Sequence, residues 1–89
     1  MPFKDNLKKF PTEPGIYKML NAKNEVLYIG KAKNIKKRVS SYFINKKHSD
    51  FKTVVLVKQI DHIDTIVTET EKEALILENQ LIKQYKPKY

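Results

Sequence analysis

The fold is decided by residues 13–33, which read EPGIYKMLNAKNEVLYIGKAK. Two runs in this stretch, residues 15–20 and 26–29, are rich in the apolar and aromatic side chains that favour strands. Between them lies Asn-Ala-Lys-Asn-Glu, a sequence with the composition of a turn. The pattern predicts a β-hairpin whose second strand ends at Gly30.

The segments on either side of the hairpin predict helices. Residues 1–10 predict a short helix that the following prolines end. Asn34 is a predicted N-cap, and apolar residues then recur at helical spacing. These residues are Ile35, Val39 and Tyr42. Residues 44–50 are polar and predict a loop.

The segment of residues 51–60 fits two structures. Its Val-Val-Leu-Val run suits a strand by propensity, whereas the spacing of its apolar residues also fits a helix. We favour the helix, with Ser49 or Asp50 as its cap. Residues 63–68 alternate and contain β-branched side chains, so they predict a third strand.

The last helix has the clearest signals. Residues 70–73 read Thr-Glu-Lys-Glu, the pattern of a capping box, and the helix is predicted to run to about Tyr85, since Pro87 opposes its continuation. Three short strands with three or four helices make an α+β domain. The chain is 89 residues long, which predicts one domain with one core.

The charge of the chain favours a polyanionic partner. Eighteen basic residues against ten acidic ones give a net charge of +8, which attracts nucleic acid backbones. A lysine-rich solvated surface is the alternative explanation. Arg38 is the single arginine beside seventeen lysines. Its planar fork has binding geometry that lysine lacks, although chance would also explain one arginine.

Two further features limit the class of protein. The chain has no cysteine, which excludes disulfides and thiolate zinc sites and fits a cytoplasmic protein. No apolar run reaches membrane-spanning length, so the sequence predicts no membrane association.

A carboxylate lies among apolar residues on the last helix. On a helical wheel, five apolar residues fall within about 60° of Glu78. They are Ala74, Leu75, Leu81, Ile82 and Tyr85. A buried carboxylate is costly unless it is paired or binds a cation. Three interpretations are open: an ion pair with a lysine, a position where the helix leaves the core, and a divalent-metal site in a cleft.

Several of these features together resemble one enzyme family. Residues 15–17 read Gly-Ile-Tyr on the first strand, and residues 28–30 read Tyr-Ile-Gly at the end of the second. With Arg38 on the next helix and Glu78 on the last, the pattern resembles the GIY-YIG endonucleases. Further segments resemble the UvrC-type branch of that family. They are EPGIY (13–17), YIGKAK (28–33), RVSSYF (38–43), EALILE (73–78), LIK (81–83) and PKY (87–89).

The resemblance implies a fold and a biological role. The fold is a small three-stranded antiparallel sheet flanked by three to four helices. Residues 1–89 would be the N-terminal nuclease domain of a longer protein that makes the 3′-side incision in nucleotide excision repair. The implied partners are damaged double-stranded DNA and, through other parts of the longer protein, UvrB. The isolated domain is expected to be monomeric.

The resemblance also implies the site. Catalytic roles fall on Tyr17, Tyr28, Lys31, Arg38, Tyr42 and Glu78. Glu78 would bind Mg²⁺ or Mn²⁺ through oxygen, and Arg38 would bind the scissile phosphate. Tyr17 is the favoured general base, although a free phenol has a pKa near 10, which neighbouring positive charge would have to lower. The expected contacts to DNA phosphates are Lys31, Lys33, Lys36 and Lys37.

The sequence departs from the family pattern at its end. An active-site asparagine normally follows Pro-Lys-Tyr, whereas this sequence stops at Tyr89. Full activity is therefore not expected of these 89 residues alone.

Three other functions compete with this interpretation. A non-catalytic nucleic-acid-binding module explains the charge equally well, but leaves Glu78 and Arg38 without a purpose. A stand-alone homing or restriction nuclease of the same family is the second alternative, which the UvrC-type segments oppose. A structural adaptor that binds no nucleic acid fits the charge least.

Overall fold

The computed structural model describes residues 9–44 and 51–89. The elements in chain order are β1 (Gly15–Leu20), β2 (Val26–Ala32), α1 (Ile35–Ile44), α2 (Phe51–Gln59), β3 (His62–Val67) and α3 (Glu71–Tyr85). The strands form one antiparallel sheet in the order β2-β1-β3. The predicted α+β class is confirmed, and the favoured helix at residues 51–60 is confirmed as α2. Residues 1–8 of the helix predicted for residues 1–10, and the caps predicted for α2, lie outside the described residues.

The predicted hairpin joins β1 to β2. The Asn21 side-chain oxygen accepts hydrogen bonds from the backbone N–H groups of Lys23 and Glu25, both at 2.9 Å. Asn24 adopts the left-handed conformation, with φ at 64°, which asparagine tolerates better than most residues. The prediction that Gly30 ends the second strand was wrong. Pairing with β1 continues to Ala32, and Gly30 lies inside β2.

A bulge interrupts β2 near its start. Met19 pairs with Tyr28 and Leu20 pairs with Val26, so Leu27 is an extra residue between two pairs. The Leu27 carbonyl accepts the backbone N–H of Tyr89 at 2.8 Å. The bulge therefore provides an attachment point for the C-terminal residues, which follow α3 and return to the start of β2.

The sheet packs helices on both faces. Tyr17 and Met19 lie on one face of β1, because strand side chains alternate. They pack in a buried cluster with Ile35 and Val39 of α1, Leu56 of α2 and Ile60, which directly follows α2. The opposite face of β1 carries Ile16 and Lys18, and there α3 packs against β2 and β1 through the fully buried Ala74.

Gly15 allows the sheet and α1 to approach closely. A Cβ atom at this position would meet the Ile66 carbonyl oxygen of β3 and would lie 2.7 Å from the Ile35 Cδ1 atom. Both atoms would then lie closer to the added Cβ than van der Waals contact allows. A glycine at the start of β1 is therefore required for β3 and α1 to occupy their observed places.

Both predicted helix caps of the described segments form. The Asn34 side-chain oxygen accepts the N–H of Lys37 at 3.0 Å, and the Thr70 hydroxyl accepts the N–H of Glu73 at 3.2 Å. The second half of the capping box differs from the expected pattern. The Glu73 carboxylate accepts the N–H of Glu69 at 3.4 Å rather than that of Thr70.

The packed face of α3 is rotated from the predicted one. Leu77 and Leu81 are half-buried beside Ala74, whereas Leu75 and Ile82 are 43% and 38% exposed. On the wheel, the buried residues lie on one side of Glu78 and the exposed apolar residues on the other. Glu78 therefore marks the border of the packed face and is half-buried rather than central.

Candidate active site

Three tyrosines from β1, β2 and α1 meet at one place. The hydroxyl oxygens of Tyr17 and Tyr42 lie 3.0 Å apart in a hydrogen bond. The ring centroids of Tyr17 and Tyr28 are 6.0 Å apart, as are those of Tyr17 and Tyr42. Tyr17 is only 1% exposed, whereas the other two are half-buried. The sequence placed these residues on three different elements, and the fold brings them together.

Gly30 makes room for the Tyr17 ring. The two residues face each other across the β1–β2 pair. A Cβ atom on Gly30 would meet the Tyr17 hydroxyl and lie 2.9 Å from the Tyr28 Cε2 atom. The sequence pattern singled out Gly30 as part of a motif but did not reveal this steric role. The motif glycine is needed because it lets two motif tyrosines lie side by side.

Arg38 lies at the edge of the tyrosine cluster. Its guanidinium carbon is 5.3 Å from the centroid of the Tyr42 ring, within the range of a cation–π interaction. Contact with the Tyr17 hydroxyl raises the pKa of Arg38, so the guanidinium stays charged. The single arginine of the chain is thus held between two of the predicted catalytic tyrosines.

Arg38 also lines a groove that three of the predicted phosphate contacts share. This groove has a volume of about 590 Å³, and we call it the catalytic groove. Its lining includes Lys31, Lys33, Lys37 and Arg38. Lys36 is not among its lining residues, since it is half-buried on another side of α1. Three of the four expected phosphate contacts therefore share one concave surface.

Two polar lining residues of the catalytic groove, Ser41 and Glu71, were given no role in the site by the sequence. Glu71 at the start of α3 forms an ion pair with Lys33 at 3.9 Å. Ser41 donates a hydrogen bond from its hydroxyl to the Arg38 carbonyl at 2.6 Å. Ser41 follows Arg38 by three positions on a helix, and that spacing is the signal that could have placed both on one face.

Glu78 lies on α3, which packs against β2, and its charge reaches Tyr28 of the cluster. Among residues 9–44 and 51–89, no cation lies within ion-pair distance of its carboxylate. The negative charge of Glu78 is one of the influences that raise the pKa of Tyr28, although burial of the phenol is the largest. Of the three interpretations of this carboxylate, the ion pair with a described lysine is therefore not observed.

Comparison with known proteins identifies the family. Residues 13–89 match the model of the UvrC-like GIY-YIG domain. This chain belongs to that family. A UvrABC system protein C from Methanococcus maripaludis is 58% identical over 84 residues, which cover 94% of this chain and 16% of the relative. A protein of the same name from Hydrogenovibrio crunogenus is 54% identical, over 93% of this chain and 13% of the relative. The chain spans about a seventh of these curated relatives.

Solved structures of the UvrC-like GIY-YIG domain agree with the fold. The N-terminal endonuclease domain of UvrC from Thermotoga maritima, bound to its catalytic magnesium, has a TM-score of 0.84 and 38% identity, over 97% of this chain and 92% of that one. A variant of that domain in which one asparagine is replaced by alanine, also bound to its catalytic divalent cation, has a TM-score of 0.84 and 40% identity, over 97% of this chain and 91% of that one. The predicted resemblance and the predicted sheet with flanking helices are both confirmed.

The side chains of this UvrC-like GIY-YIG domain fit a divalent cation held by one carboxylate. The described residues contain no cluster of three or more acidic, histidine or cysteine side chains at metal-binding distance. Glu78 is half-buried and lacks a described ion-pair partner, so its oxygens are free to bind a hard cation. Mg²⁺ usually keeps several waters and takes one or two carboxylates, which matches a single-carboxylate site.

Within the described residues, no helix combines the length and apolar character needed to cross a membrane.

Burial raises the pKa of the Tyr17 phenol well above its ordinary value, because the phenolate would lose hydration inside the core. The hydrogen bond with Tyr42 acts in the same direction, while Arg38 partly opposes the rise. Arg38 therefore supplies the lowering of the Tyr17 pKa that a general base needs, but in the protein alone burial and the Tyr42 hydrogen bond outweigh it.

We expect Tyr17 to stay protonated where free phenols ionise, at about pH 10. Tyrosinate absorbance of the folded parent and of Tyr17→Phe should therefore coincide from about pH 8 to pH 11. Since the folded state holds this proton more tightly than the unfolded state, Tyr17 should leave stability unchanged at neutral pH and reduce it above about pH 10. Titration in denaturant is the control, because all five tyrosines of the parent then ionise. Loss of one ionisation step near pH 10 in folded Tyr17→Phe would contradict the raised pKa.

Proposed function

We propose that this domain is a metal-dependent DNA endonuclease that hydrolyses one phosphodiester at the Tyr17–Arg38–Glu78 site. The observation that supports it most strongly is the convergence of three tyrosines and the single arginine beside a lysine-lined groove. The N-terminal endonuclease domain of UvrC from Thermotoga maritima, which shares the fold at 38% identity, binds a catalytic magnesium. A non-catalytic binding module would not need a buried Tyr17 with Arg38 against its hydroxyl.

In the proposed reaction, a water molecule attacks the phosphorus atom and the bond to the leaving 3′-oxygen breaks. Arg38 binds the non-bridging oxygens of the scissile phosphate with its guanidinium fork and stabilises the charge that develops there. The catalytic groove, with Lys31, Lys33 and Lys37, holds the neighbouring phosphates. These contacts position the strand without reading its sequence.

The tyrosines handle the water and its proton. Tyr17 acts as the phenolate: it accepts the hydrogen bond of the Tyr42 hydroxyl, takes the proton of the attacking water and becomes a neutral phenol. Arg38 supplies positive charge beside that phenolate. Tyr28, the tyrosine whose pKa Glu78 influences, orients the water from β2. Because burial opposes ionisation of Tyr17, the single-turnover rate should rise with pH across the alkaline range if Tyr17 is the base.

Glu78 is the residue that would hold Mg²⁺ or Mn²⁺ through a carboxylate oxygen. A divalent cation bound there would supply Lewis-acid stabilisation of the leaving oxygen. The half-burial of Glu78 keeps the carboxylate open to solvent and to an arriving strand.

The role in the cell is part of the same proposal. The relatives named UvrABC system protein C support a place in nucleotide excision repair, with the 3′-side incision made by this domain of a longer protein. Damaged double-stranded DNA is then the substrate, and UvrB is a partner contacted by other parts of that protein. The domain alone is proposed to be monomeric and cytoplasmic.

Nicking of supercoiled plasmid tests the proposed activity. We expect the domain to convert supercoiled DNA slowly to the relaxed circle with Mg²⁺ or Mn²⁺, and to leave it intact with EDTA. Lesion-free plasmid should be nicked about as fast as damaged plasmid, because phosphate contacts carry no information about damage. Metal-independent nicking would contradict the proposal, as would the absence of nicking by a domain that binds the plasmid.

A further inference from the structure

Positive and negative side chains are concentrated at opposite edges of the sheet, the β2 edge and the β3 edge. The catalytic groove lies at one end of β2 and carries Lys31, Lys33, Lys37 and Arg38 against one carboxylate. A second concave region lies along β3 and α3, and among residues 9–44 and 51–89 its lining includes three glutamates and no lysine or arginine. These glutamates are Glu13, Glu69 and Glu73. Nucleic acid is therefore attracted to the β2 side of the sheet and repelled from the β3 side.

The β2 side has a second basic pocket at its other end. This hairpin-end pocket has a volume of about 610 Å³ and is lined by Lys18, Lys86 and Lys88. Its one carboxylate, Glu25, accepts a hydrogen bond from the Asn21 side-chain amide at 3.1 Å. Three cations against one carboxylate leave a net positive pocket, which none of the proposed catalytic roles uses.

Three different segments supply these lysines. Lys18 is on β1, where its ammonium lies 4.5 Å from the centroid of the Tyr85 ring. Lys86 follows α3 in the left-handed conformation, with φ at 48°, a position where glycine is usual. Lys88 is anchored by its backbone N–H on the Val26 carbonyl at 3.4 Å. Lysines near a helix end often only compensate its dipole. That effect does not explain Lys18, which belongs to a strand.

The two basic pockets share one line along α3. Glu71 lines the catalytic groove, and Tyr85 lines the hairpin-end pocket. Glu78 lies midway, seven residues from each, so the three fall on nearly the same side of the helix. Seven residues span about 10 Å of helix. The candidate metal carboxylate is thus flanked at about equal distances by two positive pockets.

We propose that the hairpin-end pocket binds a backbone phosphate of the DNA that is cut, on the opposite side of the scissile bond from the catalytic groove. The inference rests on the proposed nuclease function and adds a second anchoring site to it. Glu71 and Tyr85, which line the two pockets, are separated by about 20 Å of helix, and this length corresponds to about six nucleotide steps along a duplex strand. A strand held at both ends would lie across Glu78, so the pocket positions DNA without taking part in the chemistry.

Binding of a fluorescent 20-base-pair duplex in EDTA tests the inference without any cutting. The triple variant Lys18→Gln, Lys86→Gln, Lys88→Gln should bind about tenfold more weakly than the parent at 50 mM salt. The slope of log Kobs against log salt should fall in magnitude by about 1, because the variant neutralises about one phosphate fewer and its binding therefore releases fewer counterions. The matched control removes three other exposed lysines, through Lys58→Gln, Lys72→Gln and Lys83→Gln. It should bind within about twofold of the parent.

Two further measurements keep the result interpretable. Circular dichroism establishes whether each variant is folded. If the triple variant unfolds, the single variant Lys88→Gln, at an exposed tail position, replaces it and should show about half of the decrease in log Kobs expected for the triple variant. Equal weakening in the pocket and control variants would overturn the inference and leave only general charge attraction. Plasmid nicking by the parent, measured separately, decides the proposed function, so a failure of the pocket and a failure of the enzyme give different results.

Discussion

Glu78→Gln is expected to abolish metal-dependent nicking and leave the domain folded. The amide keeps the shape of the side chain but removes the negative charge, which is the property a divalent cation needs. Loss of several kcal/mol of transition-state stabilisation corresponds to a rate reduction of about a thousandfold or more. Cleavage of supercoiled plasmid under single-turnover conditions, with Mg²⁺ and with Mn²⁺, measures the effect.

Stability separates this role from a structural one. Since Glu78 has no ion-pair partner among the described residues, its replacement should change the free energy of unfolding by less than about 0.5 kcal/mol. Glu73→Gln is a useful control on the same helix, because Glu73 accepts the Glu69 N–H in the capping region and lines the concave region along β3. It should nick at the parental rate. A Glu78→Gln protein that melts many degrees lower would mean that this carboxylate stabilises the fold.

Arg38→Lys is expected to be nearly as damaging to cleavage as Arg38→Ala, with both slowing the reaction by about a hundredfold or more. Lysine keeps the charge but lacks the planar fork that binds two phosphate oxygens at once. It also cannot reproduce the guanidinium contacts with the Tyr42 ring and the Tyr17 hydroxyl. Single-turnover rates on the same plasmid compare the two variants.

The matched control for Arg38 is Lys72→Ala, which removes one positive charge from the exposed side of α3. It should cleave like the parent. Arg38→Lys at the parental rate would reduce Arg38 to one charge among eighteen and would remove the fork from the proposed reaction. If an Arg38 variant only binds DNA more weakly and its chemical step is unchanged, its cleavage rate should return to the parental value at saturating protein.

The sequence predicted the elements of this fold better than their edges. Asparagine and threonine caps and the turn before Val26 are local signals, and each formed where the chemistry required it. The end of β2 was misplaced because Gly30 looked like a strand terminator, whereas its lack of a side chain serves the Tyr17 ring across the sheet. Such a requirement comes from tertiary contact and has no local signature.

The candidate site shows the same division. Arg38 and Glu78 stood out from composition and helical position, but periodicity put Glu78 at the centre of an apolar face. The helix covers β2 and β1 and leaves Leu75 and Ile82 exposed, so the carboxylate lies at the border instead. Which lysines share a groove also depends on how α1 and α3 meet β2. The sequence predicted both Lys36 and Lys37 as phosphate contacts, whereas in the fold Lys37 lines the groove and Lys36 does not.

A crystal of the domain soaked with Mn²⁺ tests the central claim most directly. Anomalous scattering should reveal one ion at about 2 Å from a Glu78 carboxylate oxygen, with waters as the other ligands. A variant crystal of Glu78→Gln, soaked in the same way, should lack that ion. An ion bound elsewhere, or no ion at Glu78 when the parent nicks DNA with the same metal, would contradict a single-carboxylate metal site as the basis of catalysis.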